Sequence, residues 1–94
     1  MQEPKRLGDA ISEAIKQLGI QRKLDEARVI EAWHEIAGGA LHEVTDSVWI
    51  DREKLIVKVN SAVWRQELHL QRKAWLERLT KTVGKPTVKE ILFR

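Results

Sequence analysis

The sequence predicts an α+β domain of two layers, its elements in the order α-α-β-β-α-β, with a three-stranded sheet packed against a long helix. Three observations carry this reading. Apolar residues recur at helical spacing from Leu7 to Ala37; the period then drops to 2 between Ser47 and Val59; and one long helical stretch separates that region from a last alternating segment, Thr87 to Phe93.

The first helix is expected to begin near Pro4, a residue suited to a first turn, and to carry its stripe on Leu7, Ile11, Ala14, Ile15 and Leu18. Gly19 stands where a left-handed cap would end it, with Ile20 placed to touch Ile15. A second helix is expected after Asp25 as N-cap, with Leu24 and Val29 at the staple positions. Its buried stripe is Ile30, Trp33, Ile36 and Ala37, and Gly38-Gly39 ends it. Two β-branched and aromatic runs follow, residues 47–51 and 54–59, joined by a charged turn at Arg52-Glu53, which reads as an antiparallel hairpin. Leu55, Val57 and Val59 share the core face, whereas Trp49 and Ile56 point the other way or lie on an edge. The long helix runs from a cap at Asn60 or Ser61 to about Val83, stopped by Gly84 and Pro86, and brings Trp64, Leu68, Trp75 and Leu79 to the sheet. A strand, a crossing helix and a strand in one sheet form a right-handed parallel unit, so the long helix is expected to lie across one face of the three-stranded sheet.

The chain has 94 residues, 43% hydrophobic and 33% charged, which fits a single domain over residues 1–94 with one core. It has no Cys, so neither disulfides nor a thiolate zinc site can hold it together, and packing must. No apolar run approaches the roughly 18 residues of a membrane helix. The N-terminal residues carry no secretory pattern, so the expected compartment is the cytoplasm, away from membranes.

The net charge of +3 conceals an asymmetry. Residues 60–94 hold eight basic residues against three acids, which is +5, while the rest of the chain holds nine against eleven, which is −2. Arg65 and Arg72 stand roughly 60 to 80° from the centre of the long helix's apolar stripe, at about 100° per residue. Two readings of these boundary residues stay open. Their stems could cover the flank of the core while the heads reach water or a carboxylate. Alternatively, with His69 and Lys73, they form a basic ridge able to follow a phosphate backbone, with Lys81 and Lys85 further along and an exposed Trp for stacking.

Catalytic chemistry finds no support. His34, His42 and His69 lack the i, i+4 spacing of a helical metal site. The acid pairs Asp9/Glu13 and Glu31/Glu35 are most simply surface charge, neither Gly38-Gly39 nor Gly84-Lys85-Pro86-Thr87 makes a phosphate loop, and no Ser sits at a nucleophile elbow. No enzyme, metal or cofactor is expected.

Trp33, Ile36-Ala37-Gly38, the strand Leu55 to Val59, then "SAVWRQEL" (residues 61–68), Leu79, Gly84 and the terminal "ILFR" occur together and in order. This pattern resembles the DciA-like (DUF 721) family from about Lys5 to Arg94, with Trp33, Gly38, Trp64, Leu68, Leu79 and Phe93 as its motif and core residues. The resemblance implies a KH-like domain and a non-enzymatic role in DNA replication initiation, binding the replicative helicase and single-stranded or forked DNA. Many relatives carry a long extra segment beyond the domain. The Gly-x-x-Gly loop of true KH domains is absent, so that likeness does not place bases. An RNA-binding KH-like module and a purely protein-binding domain are the alternatives, and dimerisation through an uncovered sheet edge stays open.

Overall fold

The computed structural model describes residues 6–94, so the predicted start at Pro4 lies outside the described residues. The elements are α1 (Leu7–Glu43), β1 (Thr45–Asp51), β2 (Lys54–Val59), α2 (Ala62–Leu70), α3 (Arg72–Val83) and β3 (Glu90–Phe93). The architecture is the expected mixed one, helices laid on a three-stranded sheet of order β1-β2-β3. It is compatible with a KH-like domain. β1 and β2 are antiparallel, and β3 runs parallel to β2, as the strand–helix–strand argument requires.

The helices divide differently from the expectation. The predicted stop at Gly19 is absent, and α1 continues through it unbroken as far as Gly38, about 45 Å at 1.5 Å per residue. Gly19 keeps a helical backbone, and Ile15 and Ile20 are 65% and 51% exposed, so the apolar contact that often accompanies a glycine cap does not form. Asp25 does not cap. It lies inside the helix, where Gln21 Nε2 donates to its Oδ1 at 3.0 Å and Lys85 Nζ meets the same oxygen at 3.0 Å. The expected stop at Gly38-Gly39 does appear, as a break at Gly38, whose φ of 76° and ψ of 176° interrupt α1 before one further turn buries Leu41. The helix expected over residues 61–83 is likewise split. At Gln71, φ −98° and ψ 11°, the N–H is shared between the Glu67 and Leu68 carbonyls at 3.2 and 3.1 Å, and α3 starts from there.

The core lies between the sheet and the helices. Leu55, Val57 and Val59 face it as expected, joined by Ile91 and Phe93 of β3, Leu68 of α2, Leu79 of α3, and Val29, Ala32 and Trp33 of α1. Trp33 is its centre, with ring centroids 5.2 Å from Trp75 and 5.8 Å from Phe93. Trp64 departs from its expected place in this stripe and is 38% exposed. It stands in the first turn of α2, just past the end of β2 at Val59, and is not part of the core cluster. The N-terminal part of α1 extends beyond the sheet, its stripe of Leu7, Ile11, Ile15 and Leu18 exposed.

The hairpin turn stores strain. Arg52 and Glu53 both have positive φ, 49° and 65°, between the paired residues Asp51 and Lys54. A two-residue hairpin with both central residues left-handed favours Asn-Gly, because a Cβ there crowds the carbonyl. Arg52→Asn with Glu53→Gly is expected to raise stability by about 1 kcal/mol, or roughly 4–8 °C in Tm for a domain of this size, read by thermal melting. The substitution gives up the exposed Glu53–Lys89 pair at 2.9 Å, whose contribution water screens.

Candidate nucleic-acid interface

The basic residues singled out from sequence fall into two groups. Arg65, His69, Arg72 and Lys73 follow one another across the α2–α3 junction. Lys81 lies in the last turn of α3, about 13 Å from Arg72 at helical rise, and Lys85 just beyond the helix. The helix breaks at Gln71, between His69 and Arg72. Arg72 turns back, donating from Nη1 to the His69 carbonyl at 2.9 Å with His69 Nε2 3.4 Å away. Arg72, His69 and Lys73 are exposed.

Arg65 does a different job. Its Nη2 donates to the Val59 carbonyl at 2.8 Å, where β2 hands over to α2, and its Nε is buried without a partner. Among the described residues no carboxylate meets it, so the half-buried guanidinium is not part of an ion pair. This is the reading in which the stem covers the flank of the core, with a backbone carbonyl taking the place of water.

Lys85 is paired with Asp25 at 3.0 Å. Its ammonium holds the Asp25 carboxyl below the ordinary carboxylate range, with Gln21 adding to the effect, so this lysine ties the α3–β3 loop to α1. Lys89 is raised above its usual value by Glu53 for the same reason. Lys81 is exposed at the C-terminal end of α3, where cations favour the helix dipole.

Two further arginines escape the sequence pattern. Arg78 stacks on Trp75, its guanidinium carbon 4.7 Å from the ring centroid, and reaches the Ile36 carbonyl at 3.4 Å. Arg28 donates to the Thr82 carbonyl at 3.2 Å and pairs with Glu35 at 3.1 Å. Both serve backbone carbonyls near helix ends or breaks, where the usual i+4 donor is missing. Of the motif residues, Trp33, Leu68, Leu79 and Phe93 are buried, and Gly38 supplies the backbone break. Among the described residues no cluster of three metal-ligating side chains occurs, and no helix is long and apolar enough to cross a membrane.

The sequence model of one protein family, described as "Dna[CI] antecedent, DciA", matches residues 6–93. The chain belongs to this family. The DciA family is associated with DNA replication initiation and helicase loading. No curated protein matches the chain. Within the family's span lie both the Trp33-centred core and the cationic α2–α3 junction.

Proposed function

We propose that this chain is a non-enzymatic adapter in DNA replication initiation, acting in the cytoplasm, which binds the replicative helicase and single-stranded or forked DNA. The family match over residues 6–93 carries the reading. The exposed cations Arg72 and Lys73, with no carboxylate among the described residues bound to either, support phosphate contact at the α2–α3 junction. Lys81 adds to the same field, while Lys85 contributes little because Asp25 compensates it.

Arg72→Ala with Lys73→Ala is expected to weaken binding to single-stranded DNA and to flatten the dependence of log affinity on log salt by about 1.4, at about 0.7 per phosphate contact. Melting is expected to stay near the wild-type value, since both side chains are exposed and water can replace Arg72 at the exposed His69 carbonyl. Arg65 is left out of this variant because its loss strips the Val59 carbonyl of its donor. A salt-titrated anisotropy assay reads the slope. Unchanged affinity and slope would make these residues surface charge alone. Recovery of the replicative helicase in a pull-down from the native cell tests the other half, and its absence counts against the adapter role.

A further inference from the structure

The sheet has a second face that no described helix covers, because α1, α2 and α3 all pack on the Val57 side. Strand register arranges this open face in three rows. Asp51, Lys54 and Glu90 form one; Trp49, Ile56 and Leu92 form the next; Ser47 and Lys58 form the third, with Arg94 brought alongside Lys58 by the Arg94 N–H to Val57 carbonyl bond. The chemistry changes from row to row. In the first, Lys54 is offset by Glu90 at 3.7 Å. The second is apolar, with an indole 36% exposed. In the third, Lys58 and Arg94 are exposed cations with no carboxylate among the described residues bound to either. Asp46, at the bulge beside this row, accepts from Asn60 at 2.9 Å.

From this arrangement we infer that the open sheet face is a docking surface for single-stranded DNA, with a base stacked on Trp49 and phosphates held by Lys58 and Arg94. Rows two residues apart on a strand are separated by about 7 Å, of the order of the distance from a base to its own phosphate. The available area argues for a nucleotide over a protein. Ile56 is already 1% exposed, so in this row only Trp49 and Leu92 remain to be covered. A stable protein interface needs about 800 Å² per partner and depletes lysine from its centre. One base on one indole, flanked by two cations, needs far less. The face also borders Arg65 at the start of α2. Val59 donates its N–H to the Arg94 carbonyl at 2.6 Å and receives Arg65 on its own carbonyl at 2.8 Å, so Lys58, Arg94 and Arg65 converge at one end of β2.

This inference rests on the proposed DNA binding, and the test separates the two. Anisotropy of a fluorescein-labelled oligodeoxythymidine is measured with the full chain and its variants. Trp49→Leu, which keeps an apolar side chain but removes the ring, is expected to weaken binding about 5- to 150-fold, and Trp49→Phe to recover most of it. Lys58→Ala with Arg94→Ala flattens the salt dependence by about 1.4. Melting curves confirm that each variant is folded. If these variants bind as wild type while Arg72→Ala with Lys73→Ala does not, the sheet face is wrong and the proposed function stands. If wild type fails to bind even at low salt, both fall. Tighter binding to oligouridine reassigns the face to RNA, and loss of helicase capture with DNA binding intact makes it a protein surface; either overturns the inference.

Discussion

Replacing Trp33 with alanine is expected to lower the stability of the domain by about 3 to 5 kcal/mol, far more than truncating any exposed side chain should cost. The indole is fully buried and is the point where three elements meet: its own α1, α3 through Trp75 at 5.2 Å, and β3 through Phe93 at 5.8 Å. Truncation removes the transfer energy of the ring and leaves a cavity between helices and sheet that none of the three can close without moving the other two. A domain of this size has about 5–15 kcal/mol in total, so the loss is a large fraction. Urea unfolding followed by far-ultraviolet circular dichroism reads it without relying on tryptophan emission. Trp33→Phe retains one ring in the same place, so it should unfold between wild type and the alanine variant. An alanine variant with the wild-type midpoint would mean that α1 does not share a core with α3 and β3.

The parts of the fold legible in the sequence are those where one periodicity has one physical meaning. The alternation of Leu55, Val57 and Val59 identifies the core face of β2, and the helix between two strands implies the parallel pairing of β3. Glycines are harder, because Gly19 and Gly38 look alike in one dimension. Only the fold shows that the chain beyond Gly38 finds a buried place for Leu41, while the chain beyond Gly19 has nothing to turn onto. The arginines are harder still. Periodicity places Arg65 and Arg72 at the margin of a helix but cannot show that each gives a donor to a backbone carbonyl, since those carbonyls are freed by the strand end at Val59 and the break at Gln71. Trp64 is misplaced for a related reason: helical spacing counts it with Leu68 and Leu79 without knowing where the sheet beneath it ends. The cationic row of Lys58 and Arg94 needs the register of two strand pairs, which no local pattern contains.

Gly38→Ala is expected to cost about 1–3 kcal/mol, whereas Gly39→Ala, one residue on, is expected to stabilise by about 0.5–1 kcal/mol. A Cβ at either position meets nothing within 4 Å, so the difference between them is purely one of backbone. At φ 76° and ψ 176°, Gly38 occupies a region closed to residues with a side chain, while Gly39 has no positive φ and resumes the helix. The break has consequences on both sides. Upstream, the Ile36 carbonyl is reached by Arg78 at 3.4 Å. Downstream, the last turn swings Leu41 into the core at 2% exposure and gives its carbonyl to Thr45 Oγ1 at 2.7 Å, fixing where β1 begins. An alanine at 38 must either carry the strain or straighten α1, and straightening withdraws Leu41 and shifts the start of the sheet. Thermal melting of the two variants side by side decides the matter. Opposite signs follow from a break at Gly38, whereas stabilisation by both alanines would show that α1 runs unbroken to Glu43 and that the start of β1 is set by something other than this glycine.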